Sequence, residues 1–301
     1  MSRFTRREWL ATAPLLLTPT AFGQTTTKTI LLGFSLYGMK SLPLADAIRA
    51  CAAIGYDGVE LALMPGYPSE PKQLSADARK ELRKQLQDAK LGLHGLMENL
   101  AEPAADAVHR ANLDRLKAAA ELGHALSPGA PPVIETILGG KPADWEKVKD
   151  KLVERLQAWA AVAKDAKTVI AIKPHVGNAL HTVEGTLWLL KQIDSPWLRL
   201  GFDFSHLKLE GVTLADAITS LVPHAAFIHL KDAKGTPAKF EFLLPGEGGI
   251  DYGDYARRLT AAKYAGPVVV EVSGQISNKP GYDPVAAAKA SYANLAKAFG
   301  R

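Results

Sequence analysis

The sequence predicts an α/β fold with a single domain, a closed (β/α)8 barrel. Short apolar runs and longer amphipathic runs alternate eight times along the chain. No linker or change in composition interrupts this alternation once the first two dozen residues have passed. The alternative is a doubly wound open sheet, which normally carries a glycine-rich phosphate-binding turn after its first strand. The segment Gly33-Phe-Ser-Leu-Tyr-Gly38 lacks that pattern, so we favour the barrel.

The first four strand and helix pairs follow from apolar runs and helix end signals. Strands are predicted at 30–37, 56–63, 91–97 and 132–138. Helices are predicted at 44–54, 75–90, 103–122 and 144–164. Gly55, Gly92 and Gly123 end the first three helices, and Gly55 occupies the position where a left-handed residue is needed. Asp144 is the predicted N-cap of the fourth helix.

The last four pairs repeat the pattern. Strands are predicted at 168–173, at the start of 198–206, at 227–230 and at 268–272. Their helices are predicted at 182–193, 213–221, 251–263 and 284–299. In the stretch 198–206, alternation of apolar residues places Asp203 at the C-terminal end of the strand, with Ser205 and His206 just beyond it.

Composition excludes some classes of function. The 301 residues are 47% hydrophobic and 22% charged, which is typical of an ordinary soluble globular protein. The formal net charge is +5, but basic and acidic residues are mixed and no basic run is interleaved with aromatic residues. Nucleic acid is therefore not an expected partner. The single cysteine, Cys51, lies on the apolar side of a predicted helix, so we expect a buried thiol.

The amino terminus differs from the rest of the chain. Residues 1–23 resemble a twin-arginine-type signal peptide, in which Arg6 and Arg7 precede the acid-free apolar run 11–22. This run is too short to span a bilayer. We expect export to the periplasm or medium, no membrane association after cleavage, and a mature domain at 24–301. The alternative is a disordered basic tail on a cytosolic enzyme.

Three consecutive strands end in a group that can bind metal or exchange protons, namely Asp203, His229 and Glu271. Each of them stands in an apolar run, where a buried charge is costly without a partner. One such residue is usually a helix cap or a solvated loop residue, but three in succession favour a functional site. Because active sites of barrels lie at the C-terminal ends of the strands, we expect these side chains to converge at the mouth.

These strand ends lie in motifs that resemble those of the xylose isomerase-like TIM barrel family, which includes sugar phosphate isomerases and epimerases. The motifs are Gly55-Tyr-Asp-Gly-Val-Glu60-Leu, Asp203-Phe-Ser-His206, His229-Leu-Lys-Asp232, Pro245-Gly-Glu-Gly-Gly-Ile-Asp251 and Val269-Val-Glu271-Val. The resemblance covers essentially the whole mature chain. It implies a small sugar substrate and a divalent metal held by Glu, Asp, His and Glu from the fifth to eighth strands. A homo-oligomer is left open.

The resemblance implies that Asp203, His229 and Glu271 are metal ligands, and that His206 contacts the substrate or a ligand. The first ligand departs from the pattern, because Lys173 stands where the family carries glutamate. Either the metal stays, Lys173 turns away or loses its proton, and His175 replaces the missing ligand, or the metal is gone and Lys173 is a fixed cation. We expect the metal to be retained, and carboxylate and imidazole ligands suit Mn, Co, Zn or Fe.

The chemistry suited to such a site is proton transfer next to the carbonyl of a keto-sugar or polyol, through an enediolate. Glu271 is the predicted base, and Lys173 or His206 is the predicted acid. This chemistry predicts a sugar isomerase or epimerase. A lyase or dehydratase that eliminates a β-substituent from an oxidised sugar or glycoside is the first alternative. A metal-free sugar-binding relative without catalysis is the second.

Four further residues are predicted to bind substrate on weaker evidence, and His175 is one of them. Glu60, late in the second strand, could contact substrate or anchor a loop. Lys231 is predicted at the rim of the site. Glu247 lies in the glycine-rich segment 245–249, which we interpret as a mobile loop able to close over substrate. His94 is predicted to be a core histidine with satisfied hydrogen bonds.

Overall fold

Eight parallel strands close into a barrel in the computed structural model, which describes residues 30–301. The barrel strands are β1 (Leu32–Ser35), β2 (Gly58–Ala62), β3 (Gly92–Asn99), β4 (Val133–Ile137), β5 (Ile170–Lys173), β6 (Leu198–Asp203), β7 (Ala225–Leu230) and β10 (Val268–Val270). Around the barrel, β1 pairs with β2 and β10, β10 pairs with β7, and the other strands pair in chain order. The predicted (β/α)8 fold is therefore confirmed.

Helices follow the strands and pack around the barrel. They are α1 (Leu44–Ile54), α2 (Ala76–Asp88), α3 (Asp106–Leu126), α4 (Trp145–Asp165), α5 (Val183–Ile193), α6 (Phe204–Leu209), α7 (Leu214–Leu221), α8 (Tyr252–Ala261), α9 (Gly274–Ser277) and α10 (Pro284–Leu295). Each of the eight predicted helices is found, and α6 and α9 are short additions. Short 3-10 helices span Leu36–Met39, Pro71–Gln73, Pro142–Asp144 and Val222–His224.

An antiparallel hairpin that the sequence analysis did not predict follows β7. It consists of β8 (Asp232–Thr236) and β9 (Lys239–Leu243). The predicted signal peptide, residues 1–23, lies outside the described residues and stays a prediction. Within residues 30–301, no helix is both long and apolar enough to cross a bilayer.

Strand alternation positions the site directly above an apolar layer inside the barrel. Ala171, Phe227 and Val269 are fully buried and pack together in this layer. Two residues further along the same strands, and so on the same side, stand Lys173, His229 and Glu271. The folding of three apolar strands therefore delivers these three polar side chains to one level at the barrel mouth.

At the other end of the barrel lies His94, which is buried without hydrogen-bond partners on either ring nitrogen among the described residues. The prediction of a satisfied core histidine is therefore wrong. Two glycines make room for the ring, because a Cβ at Gly33 would lie 2.6 Å from Nδ1 and a Cβ at Gly58 would lie 2.3 Å from Nε2. Burial lowers the pKa of His94 from 6.5 to about 4, so the folded protein holds this imidazole neutral.

We expect His94 to make the protein sensitive to acid. The unfolded chain binds a proton at this residue below pH 6.5 and the folded chain only below about pH 4. The contribution of the neutral imidazole to the free energy of unfolding is therefore fully present above pH 6.5. It falls by about 3 kcal/mol as the pH falls towards 4. Urea denaturation across this range should show a smaller acid loss in His94→Leu than in wild type. His224→Leu, at an exposed histidine, should keep the wild-type profile. Equal acid loss in wild type and His94→Leu would contradict this assignment.

Candidate active site

The predicted convergence of Asp203, His229 and Glu271 is confirmed. One carboxylate oxygen or ring nitrogen from each residue lies within 4.8 Å of the others. Asp203 and His229 are adjacent in the β6–β7 register, and Glu271 directly follows β10. Asp203 and His229 are buried, whereas the Glu271 side chain is 12% exposed. Glu271 is therefore the member of this trio that a substrate entering the barrel mouth can reach.

Two lysines enter the same cluster. Lys173 Nζ lies 2.8 Å from Glu271 Oε2 and 2.8 Å from His229 Nδ1. Lys231 Nζ donates to Asp203 Oδ2 at 2.5 Å and to Glu271 Oε2 at 2.6 Å. Both lysine side chains are only 3% exposed. The cluster therefore contains alternating acid and ammonium groups rather than acids alone.

The opposite charges in this cluster shift one another's pKa values so that each group stays ionised. Burial lowers the pKa of Lys173, but the carboxylates of Glu135 and Glu271 outweigh it, so the pKa is raised above its ordinary value. Burial raises the pKa of Glu271, but Lys173 and Lys231 outweigh it and hold that pKa well below its ordinary value. At neutral pH, Lys173 is therefore protonated and Glu271 is ionised.

A deeper layer of the cluster holds Glu60 and Glu135, both of which are at most 1% exposed. Glu60 Oε2 lies 3.0 Å from His229 Nε2, and Glu135 Oε1 lies 3.3 Å from Lys173 Nζ. Burial raises the pKa of Glu135, and the charge of Lys173 partly opposes that rise. Glu60 and Glu135 thus orient His229 and Lys173 from below. Sequence reasoning missed Glu135, although it is the single acid in the fourth apolar strand.

Asp203 is fixed through both of its oxygens. Its Oδ1 accepts hydrogen bonds from Ser205 N at 3.0 Å and Ser205 Oγ at 2.6 Å, so Asp203 also caps α6. Its Oδ2 faces His206 Nε2 at 3.5 Å, in addition to Lys231. Burial, together with the charge of Lys231, lowers the pKa of His206 well below its ordinary value. His206 is therefore neutral in the folded protein.

The unpredicted hairpin covers one side of the cluster through Phe242. The ring of Phe242 lies 4.9 Å from Lys231 Nζ and 4.9 Å from the His206 ring, measured to ring centroids. Its backbone is held by Gln275, whose Oε1 accepts a hydrogen bond from Phe242 N at 2.8 Å. The Phe242 ring shields Lys231 from water, and the two side chains form a favourable cation–π pair.

Tyr37 and Tyr67 form a second aromatic element that sequence reasoning missed. Their rings stack with centroids 5.6 Å apart, and both residues are half-buried. Burial raises the pKa of both Tyr37 and Tyr67, and the charge of Glu271 adds to the rise in each. Tyr37 lies two residues beyond the end of β1, so its position after an apolar strand was the signal that could have identified it.

His175 does not join the ligand cluster. Among the described residues, the possible metal-binding groups are Asp203 with His229 and Glu271, and Glu60 with Glu135 and His229. The prediction that His175 shares the strand face of Lys173 is wrong, because β5 ends at Lys173 and Pro174 leads into a turn closed by Asn178 N and His175 O. The His175 ring instead packs on His206, with centroids 4.1 Å apart.

The other three predicted substrate-binding residues lie at different depths in and around the cluster. Lys231 is inside the cluster, so the prediction of a rim position is wrong; β7 alternation places it on the same side as His229. Glu60 has no exposed surface and contacts His229. Glu247 is exposed, and its Oε2 accepts a hydrogen bond from Leu244 N within its own loop. Substrate contact by these residues stays a prediction.

The glycine-rich loop that carries Glu247 is held by hydrogen bonds at several points, and its mobility stays a prediction. Asp232 accepts hydrogen bonds from Gly246 N at 2.8 Å and from Ile250 N at 3.3 Å. Asn294 Nδ2 donates to Pro245 O at 2.7 Å, and Lys208 Nζ donates to Gly248 O. Asp232 is thus an anchor for this loop.

The donor types at the site suit a divalent ion, since Asp203, His229 and Glu271 offer two carboxylates and one imidazole. The ammonium groups of Lys173 and Lys231, however, contact the same donor atoms. An ion bound to these atoms at about 2.1 Å would lie within about 5 Å of an ammonium group, where like charges repel one another. The donor types agree with the predicted metal, but this arrangement of the residues does not fit one.

Fold and site together define a (β/α)8 barrel with an acid–base cluster at the C-terminal mouth. The chain belongs to the xylose isomerase-like TIM barrel family, whose model matches residues 48–297.

Among curated proteins, inosose dehydratase from Geobacillus thermodenitrificans is 27% identical over 146 residues, which are 44% of this chain and 49% of that protein. The chain thus aligns with about half the length of this curated relative. Among solved structures, 3-keto-D-glucoside 4-epimerase YcjR from E. coli has a TM-score of 0.70 and 18% identity, covering 89% of this chain and 99% of that one. The IOLI protein, solved with a zinc atom, has a TM-score of 0.74 and 18% identity, covering 90% and 100%. At such identities the structural likeness establishes the fold.

Proposed function

We propose that this protein removes a proton from the carbon next to the carbonyl of a keto-sugar or related polyol and returns it to give an isomer or epimer. The observation that carries the proposal is the Glu271 carboxylate, which reaches the barrel mouth while two ammonium groups bind its Oε2. A base beside fixed positive charges is the arrangement that enolate formation needs. The names of the relatives, a dehydratase and an epimerase, agree with this chemistry.

Each group in the cluster has a distinct part in this reaction. Both lysines and His229 approach Oε2 of Glu271, so we assign proton removal to Oε1. The ammonium groups stabilise the negative charge that develops on the substrate oxygen. When that oxygen accepts a hydrogen bond from a lysine, the lysine binds Glu271 less strongly and the carboxylate becomes a better base. Lys173, which is protonated at neutral pH, returns a proton to the enolate. His206 is neutral in the folded protein, so its lowered pKa does not support the predicted role as the acid.

Elimination is the second candidate, and one observation favours it. A reversible epimerase needs a group on each face of the carbon that acts as base in one direction and as acid in the other, but the raised pKa of Lys173 keeps it protonated and makes it a poor base. One base and one acid suffice to remove a proton and expel a β-substituent. A dehydratase among the relatives is consistent with this reading.

Product analysis separates the two reactions. The purified protein should be incubated with free ketoses and with glycosides oxidised to the ketone, and the products followed by proton NMR. We expect an epimer or isomer to accumulate; a dehydrated product or a free aglycone would establish the lyase instead. Protein that binds these compounds without converting any of them would overturn the proposal in favour of a sugar-binding role.

A further inference from the structure

We propose that Lys173 and Lys231 together take the place of the divalent metal in this barrel, so that the site works with two ammonium groups and no ion. The chemical role of the pair rests on the proposed function, whereas its metal independence does not. Two protonated lysines supply two positive charges, which equals the charge of one divalent ion. The electrostatic requirement for stabilising an enolate is therefore met by the chain itself.

The two lysines contact one donor atom of each of the three predicted metal ligands. These atoms are Asp203 Oδ2, His229 Nδ1 and Glu271 Oε2. Each of them already has an ammonium nitrogen at hydrogen-bond distance, between 2.5 and 2.8 Å. Glu271 Oε2 accepts hydrogen bonds from both lysines. The pair thus occupies one donor atom of each of these three residues.

Each lysine also has a neighbour that stabilises its ammonium group. Glu135, buried below Lys173, lies 3.3 Å from its Nζ. Phe242 covers Lys231, with its ring centroid 4.9 Å from Nζ. Each ammonium group is thus held by a neighbour of its own in addition to the donor atoms of the predicted metal ligands.

The buried carboxylates of the cluster need positive charge beside them. The two layers of the cluster contain the carboxylates of Glu60, Glu135, Asp203 and Glu271, all of which are buried or nearly so. Buried carboxylates require compensating positive charge or protonation. Lys173 and Lys231 compensate two of these four negative charges through direct contacts with Glu135, Asp203 and Glu271. A divalent ion on the donor atoms that the lysines contact would add two positive charges directly beside both ammonium groups, which would repel it.

Metal binding tests this proposal without any substrate. The purified wild-type protein should be analysed for bound metal and titrated calorimetrically with Mn²⁺ and Zn²⁺. We expect well under one ion per chain, no saturable heat of binding at the site, and no change in melting temperature on adding a chelator. One tightly held ion per chain, with a melting temperature that falls when a chelator removes it, would overturn the proposal.

A double variant, Lys173→Glu with Lys231→Met, provides the complementary test. It restores an acid on β5 and removes the second ammonium group, so it should bind Mn²⁺ or Zn²⁺ at one ion per chain and gain melting temperature on doing so. Lys234→Met, at an exposed lysine paired with Glu241, is the matched control and should behave as wild type. A folded double variant that binds no ion would show that the lysines do not occupy a metal position. If the double variant does not fold, the wild-type titration still decides.

Discussion

Replacing Lys173 with methionine is expected to lower the free energy of unfolding by about 3–5 kcal/mol, the range for removing one partner of a buried ion pair. The variant leaves Glu135 and Glu271 without the ammonium group that lies 3.3 and 2.8 Å from them. Either the carboxylates stay ionised in a poorly solvated site or they take up protons, and both outcomes cost free energy at neutral pH. Chemical denaturation of wild type and Lys173→Met at pH 7 measures the loss.

Two comparisons assign this loss to the buried cluster. Lys234→Met, at an exposed position, should change stability by no more than about 0.5 kcal/mol. Adding Glu135→Gln to Lys173→Met should recover part of the loss, because it removes the carboxylate whose ammonium partner has been lost, whereas Glu271 keeps its contact with Lys231. The deficit of Lys173→Met should also shrink at lower pH, where Glu135 is protonated in the variant. A variant as stable as wild type would mean that Lys173 does not compensate these acids.

The second large effect concerns Glu271. Replacing it with glutamine should lower kcat by a factor of about 10²–10⁴, the usual contribution of a positioned general base, while KM changes little. The amide keeps the size of the side chain but cannot accept the proton, and it no longer balances the two ammonium groups. Initial rates with the substrate found by product analysis provide the measurement. Glu81→Gln, at an exposed acid on α2, should retain wild-type activity. A Glu271→Gln variant with wild-type kcat would exclude Glu271 as the base.

Most of the fold could be predicted from the sequence because its signals are local. Each barrel strand is a short apolar run, and each helix has its own period and end signal, such as Gly55 in the left-handed conformation after α1. The hairpin of β8 and β9 was missed because four of the ten residues in its strands are charged and four are exposed, and because only Lys231 separates it from β7.

The site was partly predictable for the same reason. Asp203, His229 and Glu271 end apolar strands, and that pattern can be seen in the sequence alone. Lys231 could have been placed inside the cluster by alternation from His229, two residues earlier. The contact of Phe242 with Lys231 depends on how the hairpin folds over the barrel, so no local pattern predicts it. His175 was misplaced because alternation was extended past Pro174, where the strand had already ended.

The proposed role of the two lysines explains why Lys173 stands where the family pattern has a glutamate. Taken alone, Lys173 in place of a glutamate indicates a lost ligand and a damaged site. Together with Lys231, Glu135 and the covering Phe242, it belongs to a cluster in which opposite charges are in direct contact. We therefore expect the site to be active without an added ion rather than inactive through the loss of one.

Deuterium incorporation from D2O tests the central claim most directly, because epimerisation and elimination both begin with removal of the same proton. The chelator-treated protein should be incubated with a keto-sugar substrate in D2O, and the carbon next to the carbonyl followed by NMR. We predict that deuterium replaces the proton at that carbon in recovered substrate or epimeric product, and that Glu271→Gln suppresses the exchange. Conversion that retains the original proton throughout would contradict the account.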